Sequence, residues 1–316
     1  MIVLSQAEVR ELLDPDALID ALAEAHRELS EGKASMPPRI AAFAERDGLL
    51  GAMPSYLPSA GLACKLVTLF PQNTDRHTHQ ALIGIFDPTN GSPVALMDGT
   101  YITATRTAAG SALATRLLAR EDAKVLAILG AGVQARTHAD ALRRVRDFDE
   151  VRVASRNPAH AEETAAEIGA TAVGSWEEAV RGADVVAATT HASEPIVLRD
   201  WLAPGTQVNS VGANPQGRGE VDPAIVREAL VAVEYRGSTL APPPAGAAEF
   251  VEWAPEEVVE LGELVAGTKQ GRSSKEQISL YKSVGVAVQD AAAAALVLAA
   301  ARQRSVGREI ELEEAR

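Results

Sequence analysis

The chain has 316 residues, enough at roughly 100–200 residues per domain for two domains with hydrophobic cores of their own. Hydrophobic residues at 47% and charged residues at 23% exclude a disordered chain, and a net charge of −13 opposes nucleic acid and anionic membrane surfaces as partners. A single cysteine, Cys64, excludes an internal disulfide and a thiolate metal cage, fits a reducing cytoplasmic compartment, and is expected as a small buried hydrophobe.

The apolar stretch Ile2 to Leu4 is too short to open a signal peptide or a membrane span. Val9, Leu12, Leu13, Leu18, Ile19 and Leu22 recur at helical spacing behind Ser5 and Asp14, which predicts two short capped helices before Ser30. From Ile40 to Met97 the pattern turns to short β-rich runs at Leu62–Leu69, Ala81–Phe86 and Pro93–Met97, with Asp87 to Gly91 as a hairpin turn. An antiparallel or mixed sheet is expected there. A helix is expected over Thr103–Leu118, after which strands at Val125–Leu129, Val151–Ala154, Val185–Thr189, Gln207–Val211 and Leu230–Val233 alternate with helices in the rhythm of a parallel sheet. Ile278–Arg302 reads as helical, and its alanine-rich part, Ala291–Ala301, as a buried or dimer-packing helix rather than a membrane span. The fold class is therefore α/β: a Rossmann doubly wound parallel sheet over 119–289, and a second α/β domain made from 1–118 and 290–316.

Val125–Leu129 runs directly into Gly130-Ala131-Gly132-Val133-Gln134-Ala135 and then a helix expected over Arg136–Val145. Gly130 permits a tight turn, Gly132 lets the backbone approach a diphosphate, and Ala135 lets the helix pack close to the strand. The next strand follows about 20 residues later, where a dinucleotide-binding unit requires it. At its end an acidic residue would hold the ribose of NAD, but this chain has Ser155-Arg156-Asn157. A guanidinium and a hydroxyl suit a 2′-phosphate, so NADP(H) is favoured over NAD(H), although Arg156 stacked on the adenine would serve either cofactor.

Three basic residues interrupt apolar or small-residue stretches of this acidic chain: Arg39, Lys65 and Arg106. A buried cation needs a partner, either an internal carboxylate or an anionic ligand. A substrate carboxylate held by Arg39 and Arg106, with Lys65 adding charge or donating a proton, is the sharper reading. His77 and His79 make a His-x-His pair without the Cys, Asp or Glu neighbours of a metal site, so no metal is assigned and His79 is read as polar pocket lining. No nucleophile elbow or Walker loop is present, which disfavours acyl and phosphoryl transfer.

Met36 to Arg39, Lys65 to Val67, Thr78 to Gln80, Thr103 to Ala109, Gly130 to Ala135 and Tyr281 to Gly285 together resemble, in order and over nearly the whole chain, the ornithine cyclodeaminase/mu-crystallin family. The resemblance implies a homodimer in which an N-terminal α/β domain, completed by the C-terminal helix, serves substrate binding and dimerisation and faces a Rossmann domain across the active-site cleft. It places Thr107, Thr189, Val211 and Ser283 with the glycine turn in the cofactor site, and Asn214 with Arg39, Lys65, His79 and Arg106 in the substrate site. Two positions depart from the cyclodeaminase pattern: Gly51 and Asn214 stand where those enzymes carry a glutamate and an aspartate. Without both carboxylates the chain is similar to the ketimine reductase and archaeal-type alanine dehydrogenase branch. The reaction implied is reduction of the C=N bond of a small 2-imino acid or cyclic ketimine. The alternatives are ornithine cyclodeamination, alanine dehydrogenation and a non-catalytic NADP-dependent binding protein.

Overall fold

The structure, a computed structural model, describes residues 1–212, 219–242, 246–250 and 253–312. The chain divides into two compact units, Met1–Arg106 with Val286–Arg316, and Thr107–Gly285. Both boundaries fall earlier than the 118/119 and 289/290 junctions suggested by the sequence. The first lies inside one continuous helix, where no change of composition marks it.

The first unit opens with β1 (Ile2–Leu4), α1 (Gln6–Leu12) and α2 (Pro15–Ser30), followed by β2 (Ile40–Phe43), β3 (Leu49–Leu57), β4 (Gly61–Leu69), β5 (His79–Phe86) and β6 (Pro93–Asp98). Helix α3 (Thr100–Leu118) carries the chain into the second unit. There β7 (Val125–Leu129), α4 (Val133–Arg143), β8 (Glu150–Ala154), α5 (Pro158–Ile168), β9 (Thr171–Ala172), α6 (Trp176–Val180) and β10 (Val185–Ala188) follow one another. The unit is completed by β11 (Gln207–Ser210), α7 (Pro223–Glu228), β12 (Leu230–Val233), α8 (Arg236–Thr239), β13 (Val259–Glu260), α9 (Leu261–Val265) and β14 (Ser279–Lys282). The chain then returns to the first unit with α10 (Ala287–Arg304) and β15 (Arg308–Glu309).

The two N-terminal helices start where the caps predict. Ser5 and Glu8 form a reciprocal capping box, and Asp14 accepts the amides of Asp16 and Ala17 with Pro15 at the first helical position. Among the described residues, seven strands of the first unit order as β15-β1-β6-β5-β4-β3-β2 in a mixed sheet, with β1 parallel to β6 and the other neighbours antiparallel. Alternation sets its inner face: Met53, Lys65, Ile83 and Met97 pair across four strands and all four are buried. One member of that row is charged. Helix α10 covers this face, packing on α2, β3, β4 and β5, and its alanines allow a close approach. Pro54, which has no N–H for a ladder, obscures β3 in the sequence. It is tolerated because β2 pairs only with Leu49 to Ala52, leaving the outer edge of β3 open at Pro54.

Among the described residues, the eight strands of the second unit's sheet are all parallel, in the order β13-β12-β14-β11-β10-β7-β8-β9. Alternate residues enter two separate cores. Leu126, Ile128, Val185 and Ala187 pack with Ala135 and Leu142 of α4, while Ala127, Leu129, Val186 and Ala188 pack with Ala179 and Val180 of α6. Helices on both faces explain why these strands are continuous apolar runs.

The C-terminal segment corrects a sequence expectation. Ser279–Lys282 is a strand between β11 and β12, and the helix begins only at Ala287. A four-residue run buried on both faces has no periodicity to separate it from a helix start, and the break comes from Gly285 at φ +74°. Cys64 is half-buried rather than buried, since it points to the outer face of β4. No helix among the described residues is long and apolar enough to cross a membrane.

Candidate active site

In the second unit the chain winds from β7 outward through β8 to β9, then returns to place β10 on the other side of β7. The carboxyl ends of β7 and β10 therefore flank the switch point, where open α/β sheets bind their ligands. Gly130 ends β7 there with φ +121°, and a Cβ on it would lie 2.7 Å from the Thr189 hydroxyl. Only glycine fits. Thr189 holds the turn by donating its hydroxyl to the Leu129 carbonyl at 2.9 Å. Gly132 is the N-cap of α4, with no side chain capping the helix, no acidic residue in its first turn and open space at its Cβ position. The first amides of an 11-residue helix thus keep their hydrogen-bonding capacity for an anion. Val133 is exposed, Gln134 half-buried and Ala135 fully buried against the sheet. The residues present fit a dinucleotide diphosphate.

Beneath the turn, His138 of α4 donates from Nδ1 to the Gln134 carbonyl at 2.7 Å and accepts the Ser111 hydroxyl of α3 on Nε2 at 2.9 Å. Burial pushes its pKa down to about 4, so the ring is neutral. The Thr164 hydroxyl of α5 donates to the Ala131 carbonyl at 3.1 Å and secures the turn from the other side.

At the end of β8, Ser155 is half-buried and Arg156 exposed, while the Asn157 side chain is committed as the N-cap of α5, accepting the Ala159 amide at 3.1 Å. That cap gives Asn157 a structural task the sequence reading did not assign. Val211, just beyond β11, and Thr107 on α3 are half-buried. The Ser283 hydroxyl is buried and donates to Glu234 at 2.9 Å, with the Val284 and Gly285 amides on the same carboxylate. Asn214 lies outside the described residues, as does Gln216.

Two further charged side chains at this edge escaped the sequence reading. Glu220 accepts both the amide and hydroxyl of Thr190, the Gly212 amide and the Ser210 hydroxyl, at 2.6 to 3.2 Å. Lys282 donates to the Gly212 carbonyl at 2.8 Å and pairs with Glu249 at 3.0 Å. They pin the loops that follow β10 and β11. Lys282 stood within the motif over Tyr281–Gly285 and could have been singled out as a cation inside a buried strand.

In the first unit the predicted cations separate into two kinds. Lys65 on β4 and Arg106 on α3 are 2% and 5% exposed and meet on one carboxylate: Lys65 Nζ lies 2.7 Å from Asp290 Oδ2, and Arg106 Nε 3.0 Å from Asp290 Oδ1. Arg106 also donates to Gln289 Oε1 at 3.2 Å. Arg39 is exposed instead, because the Met36-Pro37-Pro38 approach leads into β2, whose four residues all face solvent. Its charge still reaches Lys65. His79 begins β5 and is exposed, with its ring beside the Thr78 hydroxyl at 3.3 Å. Burial lowers the Lys65 pKa to about 8, with Arg106 and Arg39 acting in the same direction and Asp290 opposing them. Asp290 was missed, and its signal was a carboxylate opening a helix of alanines.

An all-parallel, doubly wound sheet with a glycine turn at its switch point defines a dinucleotide-binding protein of the Rossmann class. The chain belongs to the ornithine cyclodeaminase/mu-crystallin family, whose model matches residues 1–305. Mouse (Mus musculus) ketimine reductase mu-crystallin is 38% identical over 304 residues, covering 93% of this chain and 95% of the mouse protein. Among solved structures, Thermococcus litoralis Δ1-pyrroline-2-carboxylate reductase in complex with NADH and L-proline is similar at a TM-score of 0.90 and 36% identity, covering 98% of this chain and 100% of that one. An archaeal alanine dehydrogenase dimer with bound NAD is similar at 0.89 and 33%, covering 99% of each chain.

Proposed function

We propose that this protein is a cytoplasmic, nicotinamide-dependent oxidoreductase that reduces the C=N bond of a small 2-imino acid or cyclic ketimine to the amino acid. The observation that carries the reading is the buried pair of cations, Lys65 and Arg106, sharing one carboxylate in a chain whose dinucleotide turn is intact. Two cations against one Asp290 leave a surplus positive charge that an incoming carboxylate satisfies.

A bound dihydronicotinamide supplies the hydride. Arg39 and Arg106 bind the substrate carboxylate and fix its orientation, the proximity effect on which much of the rate depends. Lys65, still largely ammonium near neutral pH, gives its proton to the imine nitrogen, and a protonated imine is the better hydride acceptor. His79 and Asn214 complete the substrate contacts in this reading. Thr107, Gly130, Gly132, Val133, Gln134, Ala135, Ser155, Arg156, Asn157, Thr189, Val211 and Ser283 form the cofactor site.

NADP(H) is the preferred cofactor in this reading, on the strength of Arg156 and the lack of a carboxylate at 155–157. Gly51 supports reduction over cyclodeamination. It sits within β3, paired with Val67, whose Cγ1 would lie 3.3 Å from a Cβ at 51, so a side chain there would require Val67 to shift by a few tenths of an ångström. A homodimer is supported by the outer face of the mixed sheet, where Leu50, Tyr56, Leu62, Leu66 and Leu82 are exposed together with Ile40. Oxidation of NADPH at 340 nm with pyrroline-2-carboxylate or piperideine-2-carboxylate tests the function. Turnover of either imine supports it, whereas ammonia release from ornithine with catalytic NAD, and no imine turnover, replaces it with cyclodeamination.

A further inference from the structure

We propose that Asp290 is a positioning residue for imine reduction, tying the Lys65 ammonium to the Arg106 guanidinium and setting the pH range over which Lys65 donates its proton. The inference rests on the reading of Lys65 as proton donor.

The geometry begins with the sheet. In the row of Met53, Lys65, Ile83 and Met97, a lysine replaces what packing alone would fill with an apolar side chain. An ammonium buried in that row needs a partner, and α10 brings one. Gln289 and Asp290 are both buried where α10 crosses β3 to β5. The carboxylate is divided between two cations, Oδ2 toward Lys65 at 2.7 Å and Oδ1 toward Arg106 at 3.0 Å. The neighbouring Gln289 accepts from Arg106 and turns its amide nitrogen to His26 Nε2 of α2 at 3.0 Å, so consecutive side chains of one helix hold the guanidinium through two of its nitrogens. Fixing Arg106 in this way also fixes the direction from which it can meet a substrate carboxylate.

The charges around Lys65 explain why this one carboxylate matters. Arg106 comes from α3, Arg39 from the segment before β2, and α2 supplies His26 one residue further away. Burial and both guanidinium groups favour loss of the Lys65 proton, and the Asp290 carboxylate favours its retention. Asp290 is itself ionised: burial raises its proton affinity, but Lys65 and Arg106 together hold it below the ordinary aspartate range. The ammonium is thus poised between retention and release.

The experiment compares pH profiles of kcat/KM for imine reduction in the wild type, Asp290→Asn and Asp290→Glu, alongside a titration of the Lys65 amine by 15N NMR. In Asp290→Asn the alkaline limb and the NMR titration should both move to lower pH by roughly one to three units, and Asp290→Glu should bring them back toward the wild type. Arg106→Gln, which removes a like charge and keeps the carboxylate, should move the NMR titration the opposite way. Limbs and titrations that stay in place, with activity lowered equally at every pH, would overturn the proposal and leave Asp290 a structural residue. A wild type that reduces no imine would defeat the functional reading instead, while the NMR titration would still decide whether Asp290 controls Lys65.

Discussion

In the proposed reading, cofactor preference turns on Arg156. It is exposed at the end of β8 while the neighbouring Asn157 is spent on capping α5, so the guanidinium and the Ser155 hydroxyl are the groups offered to a ribose substituent. A charge-assisted hydrogen bond is worth about 1.5–3 kcal/mol, which corresponds to roughly a 10- to 100-fold change in affinity. Arg156→Ala should raise the KM for NADPH by that factor and leave the KM for NADH nearly unchanged, as read from initial rates with both cofactors. Equal losses with the two would show that Arg156 stacks on the adenine. At this scale the sequence was legible where residue type is chemically unusual, as with Lys65 and Arg106 in apolar stretches and the missing carboxylate after β8. It was silent on Asp290, because a carboxylate at the start of a helix is ordinary until folding buries it against two cations from distant segments.

Among the elements, α4 links the cofactor turn to the stability of the second unit. His138 is buried and neutral, whereas in the unfolded chain it titrates near the ordinary value. The unfolded state therefore binds more protons between about pH 6.5 and 4, and the protein loses stability as pH falls through that window. Urea denaturation midpoints measured at pH 7 and pH 5 should show this loss in the wild type and a smaller one in His138→Gln, which keeps polar capacity without a titrating ring. A slope unchanged by the substitution would place the acid sensitivity elsewhere. The same element shows why a strand, glycine turn and helix in succession are legible in the sequence. Gly130, Gly132 and Ala135 meet local steric demands that a few residues of sequence express completely, and the helix they introduce starts at Val133. Strand β14 had no such local signature, since four residues buried on both faces take their conformation from β11 and β12.

For the whole molecule, the mixed sheet of the first unit presents one face to α10 and leaves the other apolar. Tyr56 pairs with Leu62, and Leu66 with Leu82, so the exposed side chains are contiguous across β3, β4 and β5 rather than scattered. Contiguous apolar surface of this kind is covered by a partner in most soluble proteins, and a second copy of the chain is the partner this reading requires. Leu66→Glu combined with Leu82→Lys should convert a dimer into a monomer in light scattering after gel filtration. A wild type that is already monomeric would remove the homodimer. The alternation responsible for that face is visible in Leu62–Leu69 and Ala81–Phe86, but which side would remain uncovered depended on where α10 packs, and that is a long-range outcome.

Hydride transfer from the cofactor to the imine carbon is the step on which the proposed reaction turns. Its most direct test is reduction of pyrroline-2-carboxylate with NADPH dideuterated at nicotinamide C4, followed by mass spectrometry and NMR of the product. The expected product is proline carrying one deuterium at Cα, formed in step with NADPH oxidation. Proline without deuterium, or oxidation of NADPH with no proline formed, would contradict it.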